Sequence, residues 1–494
     1  MTAVAEAAAL AAVDAYRRAL PGELVETDLS AFDRTGAFVA SVALLAPPGG
    51  NGIGYGPDAE AARTSAYGEL VEWTRSHAVL SRAEPRRASY AELTRRGESA
   101  QDPRTLCLEA GSDYDDDRPL QWLRASRSRD GAPVWVPVEL LASRPVDLAH
   151  LSGPWLTTVV TNGLGAGLDP GRALSHALLE LLQRDGNGLA FRALDRGIEV
   201  ELDGLTDTAA LAALERLRAA GVTPVVKLAS TELGLANVYA VGLDEHPDEP
   251  ISLTACGEAS HPDREVAVRK ALLELCSARA RKAFAHGSFE RVRALAGADY
   301  LDRYLAALPP DAVAREEPRA LEAMSGWLDL DAKALTDLLR ESVLSRRTSV
   351  PLAELPRTVA ERPQQLADDV LARLHGAGLD VLTLDLSGDG VHAVKAVVPG
   401  LEVETMSYGR MGERGVRRAF ALGLPFVAVG ADPGGWARVH LTAEVIERLG
   451  GPAWLDRQAV AARVGALYPL YREPGRHLAQ LHRREAARQG TASC

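Results

Sequence analysis

Along much of the chain apolar positions recur three or four residues apart, the helical period, interrupted by short runs that are apolar throughout. The first 45 residues predict one helix and then a strand at "GAFVASVALLA". "PPGGNGIGYGPD" follows and predicts a Gly-rich loop, with Pro57 and Asp58 suited to open a helix. Residues 83–130 are charged and weakly patterned, and "APVWVPVELL" predicts a strand bent at a proline. Strand, Gly-rich turn and helix are predicted in "WLTTVVTNGLGAGLDPGRALSHALLELLQRD", then neighbouring strands at "TPVVKLAS" and "NVYAVGLDE". Another strand, turn and helix lie in "LTACGEASHPDREVAVRKALLELCSAR". Residues 287–375 read as mostly helical, "DVLTLDLS" and "HAVKAVVPG" resume the strands, and the last residues mix short helices. Strands and helices alternate without a clean βαβ period, so the expected class is α+β or mixed α/β, mixed sheets packed with helices.

Three of the predicted helices carry related nonamers: "SAYGELVEW" (Ser65–Trp73), "HALLELLQR" (His176–Arg184) and "KALLELCSA" (Lys270–Ala278). Alanine is second and glutamate fifth in each. At about 100° per residue, positions one, five and eight share a stripe. The stripes are Ser65, Glu69, Glu72; His176, Glu180, Gln183; and Lys270, Glu274, Ser277. Their flanks are nearly all apolar in the second and third copies, which predicts buried helices facing a polar cavity. Convergent carboxylates suit Mg²⁺, which takes one or two of them and fills its shell with phosphate and water oxygens. The expected metal residues are Glu69, Glu72, Glu180 and Glu274. Arg184, Lys270 and Arg279 are the cations expected to meet phosphate, arginine as a two-pronged donor and lysine as a point charge. "GNGIGYG" and "TNGLGAG" are expected to offer backbone N–H groups to an anion; neither is a Walker A loop, since no G-K-[ST] follows. These features predict a site for Mg²⁺ and a nucleotide.

Charge and cysteines narrow the setting. A formal charge of −12 over 494 residues argues against sequence-blind nucleic-acid binding. The longest uncharged apolar stretches are too short to span a bilayer. "MTAVAEAAALAAVDAYRRAL" holds Glu6 and no early basic residue, so it reads as an amphipathic helix and not a signal peptide. A cytoplasmic location with no membrane contact is expected. Cys107, Cys256, Cys276 and Cys494 lack zinc-ligand spacing, and their sparse use fits a reducing compartment. Cys256 and Cys276 read as small apolar residues. "DYDDDRP" (Asp113–Pro119) reads as a solvated loop.

The ordered motifs resemble those of the YcaO family. Ser65, Glu69 and Glu72 match S-x-x-x-E-x-x-E-R, with Trp73 in place of arginine. Asn162, Gly163, Gly167, Glu180, Arg184 and Asp185 match S-N-G-x-A-A-G … E-x-x-E-R-D, with Gln183 in place of the second glutamate. His261, Pro262, Glu265, Glu274 and Arg279 match G-x-A-x-H-P-x-x-E-x-A … R-x-x-x-E-x-x-Q-S-R, with Lys270 for arginine and Ser277 for glutamine. Pro399–Glu402 is similar to the family's P-G-L-E.

The resemblance implies helices and mixed sheets around a central nucleotide cleft, with ATP and Mg²⁺ as cofactors. It implies a nucleotide site of Ser65, Glu69, Glu72, Glu180, Gln183, Arg184, Lys270, Glu274 and Arg279, and names no catalytic residue. It places an ATP-binding core at 46–430, preceded by a helix and strand at 1–45 and completed by a segment at 431–494. The implied activity is ATP-dependent modification of backbone amides in a ribosomal precursor peptide, most simply azoline formation at Cys, Ser or Thr. Thioamide or amidine formation and a non-catalytic, peptide-presenting role are the alternatives. A separate leader-peptide-binding protein is the expected partner, and a homodimer stays open. A proline-rich P-x-P-x-P end, usual in azoline-forming members, is absent. His176, His261 and His477 read as structural, His261 at a helix start, while Arg476 and His477 are candidates to reach the site from the C-terminus.

Overall fold

In the computed structural model, which describes residues 3–492 apart from 48, 298, 403 and 404, helix α1 (Ala3–Arg18) precedes a small antiparallel sheet. That sheet is β1 (Leu24–Asp28), β2 (Phe38–Leu44) and β3 (Gly50–Gly56), in chain order. A second sheet runs β4-β5-β13-β14-β7, built from β4 (Arg86–Ser89), β5 (Pro119–Arg127), β7 (Leu164–Gly167), β13 (Leu382–Asp385) and β14 (His392–Val397). Strand β6 (Pro133–Pro137) pairs with β5 beside it. A third sheet runs β11-β10-β9-β8-β12, from β8 (Ile198–Glu201), β9 (Thr223–Ser230), β10 (Ala236–Leu243), β11 (Cys256–His261) and β12 (Thr348–Pro351). A fourth, β15 (Val427–Val429), β16 (Ala437–Arg438) and β17 (Ala453–Leu455), lies near the C-terminus. The class is the mixed α/β one expected. Among the described residues no helix is long and apolar enough to cross a membrane. Cys494 lies outside the described residues.

Strands β3, β7 and β11 each form the edge of their sheet, and each runs into a long helix: α2 (Ala59–Leu80), α3 (Pro170–Asn187) and α4 (Arg264–His286). The three strand–helix units align without a gap when counted from the shared glutamates Glu69, Glu180 and Glu274. A glycine stands 17 residues earlier (Gly52, Gly163, Gly257) and an aspartate 11 earlier (Asp58, Asp169, Asp263). Each aspartate caps its helix, its carboxylate accepting a backbone N–H at 2.9 Å from Ala61, Arg172 or Glu265. Alanines follow 7 and 3 residues before the glutamate, at Ala62, Ala173, Ala267 and at Ala66, Ala177, Ala271, all at most 2% exposed. A buried leucine comes directly after it (Leu70, Leu181, Leu275).

The small residues have a steric cause. A Cβ on Gly52 would lie 2.0 Å from the Ala66 carbonyl oxygen, one on Gly165 2.0 Å from that of Ala173, and one on Gly257 2.1 Å from that of Ala271. Each helix therefore rests on its own strand at backbone distance, which glycine and alanine alone permit. Helix α2 also touches β7, α3 touches β11 and α4 touches β3, so the three units close on one another as a ring.

Several expectations are corrected. "GNGIGYG" is not a loop but strand β3, fully registered against β2 from Gly56↔Phe38 to Gly50↔Leu44. The strand of the second unit is Leu164–Gly167, the stretch expected as a turn, and "WLTTVVT" before it is irregular. Strands β1, β4 and β5 arise where the pattern was weak or unread. The segments expected at 1–45, 46–430 and 431–494 share sheets, with β2 paired to β3 across the first boundary and β15 to β17 across the second.

Candidate nucleotide site between three helices

The shared glutamates hook back onto the strands that precede them. Glu69 Oε2 accepts the Ile53 N–H at 2.8 Å, Glu180 Oε2 the Gly163 N–H at 2.8 Å, and Glu274 Oε2 the Glu258 N–H at 3.2 Å. Glu72 joins two units, its Oε1 accepting the N–H of Ala166 on β7 at 3.0 Å. Each carboxylate is thus fixed in orientation by backbone, as preorganised charge requires. The N–H groups of the two Gly-rich strands serve these carboxylates, which corrects their expected role as an anion cradle.

Burial pushes the carboxyls of Glu69 and Glu274 up to about 7, and that of Glu72 well above the ordinary carboxylate range. Like charges add to the effect: Glu180 acts on Glu69, Glu180 and Glu69 act on Glu72, and Glu258 acts on Glu274. Such an excess of confined negative charge is what a hard divalent cation relieves. Among the described residues no three His, Cys, Asp or Glu side chains form a ready metal cage. The donor set therefore fits Mg²⁺ in its usual manner, one or two carboxylates to an ion, with phosphate and water oxygens completing the shell.

Cations ring the carboxylates. Lys270 on α4 lies near enough for Glu274 and Glu180 to act on its charge. Arg184 on α3 reaches Glu258 at 3.5 Å, where Arg192 also binds at 2.7 Å and Asn187 Nδ2 donates at 2.9 Å. Arg281 and Arg476 supply the positive charge acting on Glu69. Ser65 is exposed on α2, one turn before Glu69. Gln183 and Ser277 occupy the positions that answer Glu72 in the other two units, and Ser277 is buried. Trp73 has its ring covered by the Arg144 guanidinium, 5.0 Å from the ring centre. His176 Nε2 stands 3.6 Å from Glu72 Oε1.

Arg279 does not join this group. Its guanidinium is buried between Asp33 at 2.9 Å and Asp244 at 2.8 Å, which corrects its expected phosphate role. His477 is likewise away from the glutamates, caged by the rings of Phe284, Phe289, Tyr300 and Tyr304 at 5.2–6.0 Å. His261 is structural as expected, its Nδ1 accepting the Asp263 N–H at 3.0 Å at the start of α4. Glu265 accepts from the Thr206 backbone N–H at 3.1 Å and from its hydroxyl, fastening the same helix end. Asp185 accepts the Glu402 N–H at 2.9 Å and pairs with Arg414 and Arg418, so the second and fourth motifs meet as scaffold. Cys107 and Cys276 are buried and Cys256 is half-buried, none in a disulfide.

Sequence reasoning missed Glu258, Arg192, Arg281, Lys395 and Glu473. Lys395 is buried, and its Nζ donates to the carbonyls of Val160, Thr161 and Asn162 at 2.8–3.3 Å, fixing the approach to β7. Only Arg281 had a signal, as the next member of the stripe that holds Lys270 and Glu274.

Comparison with known proteins agrees with this geometry. A curated relative, an uncharacterized protein from Methanothermobacter thermautotrophicus, is 28% identical over 328 residues, 63% of this chain and 73% of its own. A heterocyclase solved with substrate and cofactor superposes with TM-score 0.60 at 17% identity, over 84% of this chain. The chain spans 55% of the length of that heterocyclase. YcaO from Methanopyrus kandleri, solved with AMPPCP and Mg²⁺, superposes with TM-score 0.55 at 22% identity, over 81% of this chain and 91% of its own. At such identities the likeness is one of fold. The family model described as YcaO cyclodehydratase, ATP- and Mg²⁺-binding, matches residues 53–402, from within β3 onward, and so takes in all three glutamate helices. By that match the chain belongs to the YcaO family, and ATP and Mg²⁺ are its cofactors.

Proposed function

We propose that the chain modifies backbone amides of a ribosomally made precursor peptide, with azoline formation at Cys, Ser or Thr as the leading outcome. ATP supplies a phosphoryl group that turns the amide oxygen into a leaving group once a nucleophile has added to the carbonyl carbon. The chain's own part is positioning and charge. Glu69, Glu72, Glu180 and Glu274 are the residues to hold Mg²⁺, while Arg184 and Lys270 meet phosphate oxygens. Held by backbone N–H groups, the four carboxylates need little rearrangement as charge develops.

The observation that carries this reading is the ring itself. Three strand–helix units each hold one glutamate by a backbone N–H at or beside an edge strand, and the helices close on one another's strands, in a chain of the YcaO family. A separate leader-binding protein is proposed as partner. The test incubates purified protein with ATP, Mg²⁺, the precursor peptide and the protein encoded beside it. Peptide-dependent phosphate release with loss of one water, about 18 Da, per azoline is expected. No release above background overturns the reading.

A second reading has one observation in its favour. Gln183 and Ser277 put neutral groups where Glu72 has a carboxylate, which suits a subunit that presents peptide without consuming ATP. Mg²⁺–ATP binding that Glu69→Ala and Glu180→Ala abolish counts against it.

A further inference from the structure

Arg281 lies seven residues beyond Glu274 on α4, two turns along the same face, where its charge acts on Glu274 and Glu69. Its guanidinium is gripped on one edge by Glu473, Nη1 donating to Oε2 at 2.7 Å and Nη2 to Oε1 at 3.2 Å. Glu473 belongs to the C-terminal stretch "YREPGRH", far from α4 in sequence. It also binds Lys282 Nζ at 2.7 Å and His286 Nε2 at 3.2 Å, so it faces three residues of α4. Arg281 and Lys282 hold its carboxyl well below the ordinary range, and it stays charged.

The loop around Glu473 is pinned at several points. His477 donates its backbone N–H to the Ala285 carbonyl at 2.8 Å and adopts φ +66°, in the left-handed region. Arg476 donates to Ser41 Oγ at 2.9 Å and to the Tyr300 hydroxyl at 3.2 Å, and its guanidinium packs 4.7 Å from the Phe284 ring. A backbone so fastened places the Glu473 carboxylate at one spot. A carboxylate bound to two guanidinium nitrogens fixes the plane of the group and leaves its remaining N–H donors aimed elsewhere. Arg281 is a third exposed, and after Glu473 the carboxylates that act on its charge are Glu274, on the same face of α4, and Glu69.

We infer that Arg281 contacts the polyphosphate of bound ATP and that Glu473 is its positioning residue, delivered by the C-terminal segment. This rests on the proposed nucleotide site between the three helices. AMP lacks the phosphates beyond the first, so it is the control for a contact made to the polyphosphate.

The test measures Mg²⁺–ATP and AMP affinities by calorimetry on the full chain, for wild type, Arg281→Lys, Glu473→Asp and the double variant. Both substitutions keep the charge and change only the geometry, lysine by losing the fork and aspartate by withdrawing the carboxylate one methylene. Arg281→Lys is expected to weaken Mg²⁺–ATP about tenfold, in the range a lost charge-assisted pair produces, with AMP within about twofold of wild type. Glu473→Asp is expected to follow in the same direction, and the double variant to bind no more weakly than Arg281→Lys, since Glu473 acts through Arg281. If Glu473→Asp shifts ATP and AMP alike, or adds fully to Arg281→Lys, Glu473 is only a fastener and the inference is overturned. If wild type binds and neither variant changes the ATP-to-AMP ratio, the inference fails and the site stands. If wild type does not bind Mg²⁺–ATP, both fall together.

Discussion

Arg279 and Arg281 stand two positions apart on α4, about 200° around the helix, and so serve opposite sides of it. Arg279 neutralises two buried aspartates, while Arg281 borders the glutamates. The motif that suggested Arg279 as a phosphate ligand is legible in the sequence; the side of the helix it faces follows only from counting degrees from Glu274. Arg279→Met removes the partner of Asp33 and one partner of Asp244, and is expected to cost about 3–5 kcal/mol. Thermal melting reads that loss, and calorimetry on the folded variant should return wild-type Mg²⁺–ATP affinity. At Glu69 the sign runs the other way. Its folded carboxyl sits near 7, above the ordinary value of 4.5, so the folded state holds a proton that the unfolded chain releases. Its penalty is absent below about pH 4.5, grows as pH rises, and is complete above about pH 7. Glu69→Gln should therefore match wild type in stability near pH 4 and exceed it near pH 8, by roughly 1–3 kcal/mol, which melting at the two pH values reads. A gain that shrinks with rising pH contradicts the shift.

At the scale of elements, the strand–helix unit explains why alanine is second and glutamate fifth in every nonamer. The alanine is where the helix meets its strand, and the glutamate reaches back to an N–H at the shared glycine, that of Gly163 itself in the second unit and that of the following residue, Ile53 or Glu258, in the other two. The glutamate stripes were legible because helical periodicity writes them into side chains. Strands β3 and β7 were not, because their contact face is glycine and leaves no apolar alternation to read. With the strands taken as loops, the full spacing of glycine, aspartate, alanine and glutamate stayed hidden, although every residue of it is in the sequence. Gly165→Ala and Gly257→Ala force a Cβ into a backbone carbonyl and are expected to lower stability by about 2–4 kcal/mol. Gly68→Ala, in the middle of α2 with its nearest outside atoms 3.8 Å or more away, is expected to raise it by about 0.5–1 kcal/mol. Urea unfolding of the three variants distinguishes a helix–strand seam from a general intolerance of change at glycine.

Across the whole molecule, the ring makes segments interdependent that the motif pattern divided. The first sheet spans the expected 45/46 boundary, and the C-terminal stretch sends Glu473 and Arg476 back to α4 and β2. Fold class and the four glutamates could be read from the sequence, but closure could not, since it depends on contacts such as α4 with β3 that no local pattern encodes. The fragment 46–430 leaves β3 without β2, β15 without β17, and Arg281 without Glu473. It is expected to show no cooperative melting transition; a fragment that melts as sharply as the full chain would show the ends to be accessory. The central claim is that Glu69, Glu180 and Glu274, one from each unit, hold a single Mg²⁺–ATP site. The most direct measurement is calorimetric titration of Mg²⁺–ATP into wild type, Glu69→Ala, Glu180→Ala and Glu274→Ala, repeated with EDTA. The account predicts saturable, Mg²⁺-dependent binding by wild type and at least about tenfold weaker binding by each variant, in proteins that still melt cooperatively. ATP binding that persists without Mg²⁺, or that survives loss of any one of the three glutamates, would contradict it.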